Sequence, residues 1–326
     1  KANITATGKY LPERIITNIE LEKLVDTSDE WIQTRTGICE RRIVKKGQAS
    51  SEMSTNAVLD LMNKHNVSAK EIDAIIIATI TPDMMFPATA AIVQKNINAT
   101  NAWGYNLSAA CSGFLFALES GSALISSGQC KKVIVVGVDT MSSILDFTDR
   151  NTCILFGDGA GAILLEPSKK YGIIDSKLKL DGTGGEFLNM PAGGSLLPAS
   201  EETIKKRLHY VHQDGKTVYK KAVNEMANIS HQIAKRNNLS NEDINLFIPH
   251  QANKRIIDAA AERCGISEDK VLINIHKYGN ATAGTIPIAL NEAVNENRIK
   301  DGDLILLAAF GAGFTWGSIL IRWESI

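Results

Sequence analysis

Lys70-Glu-Ile-Asp-Ala-Ile-Ile-Ile-Ala78 and Glu242-Asp-Ile-Asn-Leu-Phe-Ile-Pro-His250 share one pattern, an acidic lead-in followed by a short apolar run, at an offset of 172 residues. A run this short, without polar alternation, reads as a strand buried on both faces. Two more matches follow in the same order. Val133–Gly137 parallels Leu304–Ala308 at an offset of 171, and Gly161-Ala-Ile-Leu-Leu-Glu166 resembles Gly317-Ser-Ile-Leu-Ile-Arg322 at an offset of 156. One such match is common by chance; three in order argue for a duplicated α/β unit with halves 1–170 and 171–326 and a boundary near Pro167–Gly172. Paired halves of this kind leave a crevice where corresponding strand ends and their loops face one another.

Working outward, strands alternate with segments of helical period, as in α/β folds. Helices are expected at Ser51–His65, Thr89–Ile97 and Ser112–Ser126, the last closed by Gly128, and strands at Asp73–Thr79, Trp103–Leu107, Lys132–Val138 and Gly159–Glu166. The 326 residues carry 35 basic and 36 acidic side chains, a formal net charge of −1, which argues against a general nucleic-acid binder. With 44% hydrophobic and 22% charged residues the chain is globular rather than disordered or coiled coil. Its longest apolar runs fall far short of the ~20 residues that span a bilayer, so no membrane segment is expected. Five cysteines, at 39, 111, 130, 153 and 264, form no C-x-x-C and stand with no zinc-finger histidine pair. A disulfide framework or structural metal is therefore not expected. Lys1-Ala-Asn-Ile-Thr5 has neither a signal-peptide nor a presequence pattern, so a reducing, cytoplasmic setting is the expectation, although a segment processed before Lys1 would leave no trace.

Cys111 lies in Asn106-Leu-Ser-Ala-Ala-Cys-Ser-Gly-Phe114, between a strand and a helix. Amides and dipole at a helix N-terminus stabilise a thiolate, and a lowered thiol pKa follows as the expectation. The small neighbours Ser108, Ala109, Ala110, Ser112 and Gly113 leave room for a substrate. Cys39, Cys130, Cys153 and Cys264 read as small buried core residues. His250 ends the strand read over Ile244–Ile248, at the carboxyl end where α/β sites form, and a helix is expected over Lys254–Cys264. The remaining histidines stand in polar contexts. By the repeat, the Asn280 loop is the counterpart of the Cys111 loop. Gly215-Lys216-Thr217 lacks the glycine spacing of a P-loop, and the glycines of 157–161 and 311–313 do not open helices, so no nucleotide-cofactor site follows. Those glycines read as turns that bring amides close to a site between the halves.

With these residues in place the chain closely resembles the β-ketoacyl-acyl carrier protein synthase III family, the initiating condensing enzymes of type II fatty acid synthesis. The likeness spans essentially the whole chain. It is carried by Thr27-Ser-Asp-Glu-Trp-Ile-Gln-Thr-Arg-Thr-Gly37, Ser108-Ala-Ala-Cys-Ser-Gly113, Phe156-Gly-Asp-Gly-Ala-Gly161, Pro249-His-Gln-Ala-Asn253, Tyr278-Gly-Asn280 and Phe310-Gly-Ala-Gly-Phe-Thr-Trp-Gly317. The resemblance implies a five-layered thiolase-like α/β fold with mixed sheets, a homodimer, and a Cys-His-Asn triad falling on Cys111, His250 and Asn280. It implies an acyltransferase that takes a short acyl-CoA onto Cys111 and condenses it with malonyl-acyl carrier protein. The oxyanion would be held by the amides of Cys111 and Ala312, and the developing enolate by His250 and Asn280, with no metal or redox cofactor. Carried over by position, Thr27, Trp31, Arg35 and Arg150 would hold CoA, Phe86 would close the acyl pocket across the dimer, and Arg255, Lys220 and Arg263 would dock the carrier protein.

The chain departs from the family pattern in places: Ala312 stands where a glycine is frequent, Ala-Thr-Ala-Gly follows Asn280, and Glu262 stands where a basic contact is frequent. Within the fold, a polyketide-type condensing enzyme is the alternative. A thiolase would want a second catalytic cysteine in the C-terminal half, and Cys264 lies in a helical stretch outside the expected loops. A Cys-His-Asn thiol hydrolase has similar spacing, but the signature of papain-like enzymes is missing.

Overall fold

The structure, a computed structural model, describes residues 1–325. Nine strands build two sheets: β1 Ala2–Tyr10, β2 Ala74–Ala78, β3 Trp103–Leu107, β4 Val133–Asp139, β5 Gly159–Pro167, β6 Gly172–Leu180, β7 Leu246–Pro249, β8 Leu304–Gly311 and β9 Thr315–Arg322. The first sheet runs β1-β5-β4-β2-β3 and the second β6-β9-β8-β7, with parallel pairing of β2 with β4 and of β7 with β8 and antiparallel pairing toward β1 and β6. The fifth position of the second sheet is reduced to a single parallel bridge, Phe247 to Val271.

The ladders carry the repeat to the residue. Ala74 pairs with Val133 and Leu246 with Ile305, both displaced by 172. This corrects the offset of 171 read for β4 and β8. A one-residue slip would turn each side chain to the opposite face, and it is Ile305, not Leu304, that shares the central core with Val133. Leu165 pairs with Val133 and Ile321 with Ile305, which keeps the offset of 156. Even the bulge recurs, at Leu164/Leu165 against β1 and at Leu320/Ile321 against β6.

Six longer helices make three layers around these sheets: α1 Ser50–His65, α2 Thr89–Asn96, α3 Gly113–Ser126, α4 Gly215–Arg236, α5 Lys254–Arg263 and α6 Thr285–Asn295. Alternate residues of each strand divide between cores. Ile75, Ile77, Ile134 and Val136 meet Met53, Ala57, Val58 and Leu61 of α1, while Ile76, Val133 and Val135 face Phe114 and Leu118 of α3. In the second sheet Ile305 and Leu307 face the same middle layer, and Leu304 and Leu306 meet Val218 of α4 and Ile257 of α5. The result is helix, sheet, helix, sheet, helix: the five layers expected. Because α3 and α6 are covered by a sheet on either side most of their residues are buried, down to Asn291 and Glu292 of α6, whereas the outer helices show an apolar stripe. No helix among the described residues is long and apolar enough to cross a membrane.

The excursion between β1 and α1 carries the short hairpin Arg14–Thr17/Glu40–Ile43 and the helix Asp29–Thr36. Ser28 caps that helix, its hydroxyl accepting from the Trp31 amide at 3.1 Å, and Gly37 ends it at φ 77°. The buried Arg41 bonds the Ile16 carbonyl and the Asn18 side chain within this excursion and ties it to the body through the Ile154 carbonyl.

Candidate active site

Cys111 occupies the middle of a single 3-10 turn, Ala110–Ser112, that leads from β3 into α3; the helix expected from Ser112 thus starts one residue later, at Gly113. Ala110 takes φ 48°, a left-handed conformation that non-glycine residues seldom adopt. In the second half Thr282–Gly284 opens α6 in the same way, with Thr282 at φ 45°. The two strained residues are 172 apart. Such backbone persists only where its surroundings over-determine it. Here Ser112 Oγ donates to the Thr315 carbonyl at 3.0 Å, and Thr315 Oγ1 lies 3.0 Å from the carbonyls of both Ala109 and Ala312, lacing the first turn to the β8–β9 hairpin. A Cβ on Gly311 would lie 2.8 Å from the Cys111 nitrogen, so only glycine lets the end of β8 come this close to the turn. Ala312 is not among the positive-φ residues and makes its turn without strain.

The lowered thiol pKa expected for Cys111 is overturned. Burial, with the charge of Asp139 adding to it, pushes the thiol up to about 12, and the backbone hydrogen bond opposes this only in part. Exclusion from water outweighs the short turn's amides, so the resting nucleophile is a thiol. Of the other cysteines, Cys130, Cys153 and Cys264 are buried as expected, but Cys39 is exposed, on the excursion rather than in a core.

β7 ends at Pro249, one residue beyond the predicted strand, and His250 follows, its amide donating to the Ala308 carbonyl at 2.8 Å. The ring is 1% exposed. Desolvation pushes its pKa down to about 3, which keeps it neutral near pH 7. Nδ1 lies 2.6 Å from Thr285 Oγ1, and Nε2 is buried with no partner.

Asn280 is held at both ends. Its amide donates to the Leu155 carbonyl at 2.9 Å and its carbonyl accepts from Gly157 at 3.1 Å, a parallel bridge at Phe156. A Cβ on Gly157 would stand 2.4 Å from the Tyr278 carbonyl, which is why the 157–161 stretch begins with glycine. The Asn280 side-chain oxygen accepts from the Thr282 amide at 2.8 Å. An N–H can only donate, so this bond fixes which way round the amide stands and leaves Nδ2 as a free donor.

Beneath both turns lies Asp139, at the end of β4 and fully buried. It accepts from the Ile80 amide at 2.8 Å, the Thr81 hydroxyl at 2.9 Å, the Thr79 hydroxyl at 3.0 Å and the hydroxyl of Thr282. Burial raises its pKa and these donors oppose the rise. Sequence reasoning passed over Asp139, Thr282 and Thr285. Only Asp139 had left a signal, a lone acid closing a seven-residue apolar strand.

Cys111, His250, Asn280 and Ala312 all line one cavity of about 640 Å³ between the halves. Apolar side chains including Ile80, Met141, Phe156 and Met226 complete its wall. Asn151 and Asn253 line it too, and Asn253 Nδ2 donates to the Arg35 carbonyl at 3.1 Å. Next to them Arg150 and Arg35 lie over the Trp31 ring, 5.0 and 5.9 Å from its centroid. Thr27, four residues before Trp31, has its hydroxyl buried without a partner. Arg255 lies over Tyr219, whose ring lines the cavity, and Lys220 is the next residue of α4. Arg263 of α5 bonds Asn224 of α4, so the three basic residues share the α4/α5 pair, with exposed Glu262 beside them. Phe86 is not brought to the cavity by this chain; it is 83% exposed, beside Met85 at 80%.

Two family models match the chain, 3-Oxoacyl-[acyl-carrier-protein (ACP)] synthase III over residues 105–182 and its C-terminal counterpart over 234–323. Similar curated proteins include the Beta-ketoacyl-[acyl-carrier-protein] synthase III of Chlorobaculum tepidum, 54% identical over 99% of this chain and 100% of that protein. That of Koribacter versatilis is 52% identical over 99% of this chain and 98% of its own length. Among solved structures, the 3-oxoacyl-[acyl-carrier-protein] synthase III of Aquifex aeolicus superposes with a TM-score of 0.92 at 42% identity, covering 99% of this chain and 100% of that one. The priming β-ketosynthase of the R1128 polyketide pathway also gives 0.92, at 31% identity over 100% and 97%. Identity above one half along nearly the full length of both chains, with a superposition at TM-score 0.92, makes this chain a member of the β-ketoacyl-[acyl-carrier-protein] synthase III family.

Proposed function

We propose that the cavity condenses a short acyl-CoA primer with malonyl-acyl carrier protein, giving a β-ketoacyl-acyl carrier protein and so initiating fatty acid synthesis. Cys111 sulfur attacks the thioester carbonyl, the tetrahedral oxyanion rests on the amides of Cys111 and Ala312, and CoA departs carrying the proton that the thiol lost. Malonyl-carrier then takes the place of CoA. As its carboxylate leaves as CO₂, the bonding electrons pass into a thioester enolate whose oxygen is met by His250 and Asn280. The enolate carbon attacks the acyl group, and the Cys111 thiol is restored on proton uptake. Loss of CO₂ drives the condensation, so no cofactor is required. The observation that carries this reading is that one apolar cavity is lined by a buried nucleophile and by two side chains each with a nitrogen free of protein partners, Nε2 of His250 and Nδ2 of Asn280.

The arginine-flanked Trp31 suits the adenine of CoA, with Thr27, Arg35 and Arg150 around it. Arg255, Lys220 and Arg263 suit an acidic carrier protein. A homodimer is supported by β3, an edge strand with Trp103 46% exposed, and by the exposed Met84–Phe86 loop, from which Phe86 would reach the partner's acyl pocket. Four buried free thiols favour a reducing, cytoplasmic setting.

Intact-protein mass measurement after mixing with acetyl-CoA should show one acyl group, absent in Cys111→Ala. His250→Ala and Asn280→Ala should still take up that group yet release at least ~100-fold less CO₂ from labelled malonyl-carrier. Acylation of Cys111→Ala, or full CO₂ release by His250→Ala, would overturn the reading.

A further inference from the structure

Thr285 begins α6 and is 3% exposed. Its hydroxyl has one hydrogen and two neighbours that could accept it, His250 Nδ1 at 2.6 Å and the Thr282 carbonyl at 3.0 Å. The choice decides which nitrogen of the neutral imidazole carries its hydrogen. Were the hydroxyl turned to Thr282, Nδ1 would have to be the donor to Oγ1, and Nε2 would face the cavity as a bare lone pair. Were it turned to Nδ1, Nε2 would face the cavity as an N–H.

Two observations favour the second arrangement. A separation of 2.6 Å is shorter than the 2.7–3.2 Å usual for N–H···O, the bond it would have to be if Nδ1 were the donor. The Thr282 carbonyl, at the long end of the 2.5–3.0 Å usual for O–H···O, already accepts the backbone N–H of Thr285 and does not depend on the hydroxyl. We infer that Thr285 is a positioning residue for the condensation, its hydroxyl donating to His250 Nδ1 and thereby fixing the tautomer whose Nε2–H points into the cavity.

The inference rests on the reading of His250 as a donor to the enolate oxygen and gives the physical reason it is one. A ring with the opposite tautomer would present a lone pair to a developing negative charge and repel it. Nothing else among the described residues makes this selection, since Nε2 has no partner and Nδ1 has Thr285 alone.

The test uses the whole protein with ring-labelled histidine. Nitrogen NMR should report the pyrrole-type, hydrogen-bearing nitrogen of His250 at Nε2 in the parent, and a shift toward Nδ1–H in Thr285→Val, which keeps the shape and removes the hydroxyl. In that variant kcat for malonyl-carrier decarboxylation should fall at least ~10-fold, with KM little changed and self-acylation from acetyl-CoA intact, as when a histidine's orienting partner is removed. Thr285→Ser, which restores the hydroxyl, should recover both the tautomer and the rate. A role in packing alone would lower the melting temperature and impair both half-reactions without moving the tautomer. Nδ1–H in the parent, or parent-like decarboxylation by Thr285→Val, would overturn the inference. His250→Ala separates the two levels: if it too decarboxylates normally, the reading of His250 fails, and if it alone is inactive, only the role of Thr285 does.

Discussion

Cys111 combines a reactive position with an unreactive resting state. A thiol whose pKa is raised to about 12 is almost wholly protonated at pH 7, and its thiolate fraction grows about tenfold per pH unit until that value is approached. Alkylation of Cys111 by iodoacetamide, followed by mass spectrometry, should therefore keep rising from pH 7 through pH 10; a plateau near pH 8 would show a thiolate stabilised in the free protein. The linked stability has a definite sign. Because the folded value lies above the unfolded one, this group's contribution is complete below the ordinary thiol value of 9.0 and is lost as pH rises toward about 12. His250 works in the other direction. Its folded pKa of about 3 lies below the free value of 6.5, so its contribution is present above 6.5 and declines as acid protonates the unfolded chain first. Between pH 5 and 8 the folded ring stays neutral.

At the scale of elements, the site is made where strand ends meet turns. β8 can reach the Cys111 turn because Gly311 has no side chain, and Thr315 then holds the hairpin to that turn. Gly311→Ala would force a Cβ to within 2.8 Å of the Cys111 nitrogen, a backbone atom that cannot swing aside. The expected cost is about 1–3 kcal/mol of stability together with impaired self-acylation, because the displaced atoms include the proposed oxyanion donors. Urea denaturation of the variant alongside its acylation rate would check both. Parent-like values in both would mean that the turn is free to relax. Asp139 has the complementary role, joining the end of β2 to Thr282 beneath the Asn280 turn.

For the whole molecule, division of labour between the halves matters most. The first half supplies Cys111 and the second His250 and Asn280, while one continuous core, holding α3 and α6 between the sheets, registers one against the other. The proposed carrier surface is the α4/α5 face, and there net charge cannot help, since the chain as a whole carries only −1. A local basic group must do the steering. Arg255, exposed over Tyr219, stands at the cavity's edge. Arg255→Glu should slow condensation with malonyl-carrier about 10-fold or more at low salt, the difference narrowing as salt is raised, while self-acylation from acyl-CoA stays near the parent rate. Steady-state rates in a salt series provide the measurement, and equal condensation rates at low salt would remove Arg255 from the docking surface.

The sequence by itself determined the repeat and the strands, and it singled out Cys111, His250 and Asn280, which the fold brings to one cavity. Strands buried on both faces must be apolar throughout, so Ala74–Ala78 and Leu304–Gly311 appear as unbroken runs whatever surrounds them. It did not determine register: the offset of β4 to β8 was one residue out, because a continuous apolar run carries no mark of which side chains face which layer. Nor did it yield the state of the site. A helix N-terminus is a local feature and predicts a stabilised thiolate, but the water around Cys111 is displaced by β8, β9 and Asp139, segments far apart in the chain, and that displacement decides the pKa. Likewise nothing along the chain singles out Thr285, and only folding sets it 2.6 Å from a histidine 35 positions earlier. Chain-local chemistry is written in order along the sequence, whereas desolvation and hydrogen-bond partners come from whatever the fold packs alongside.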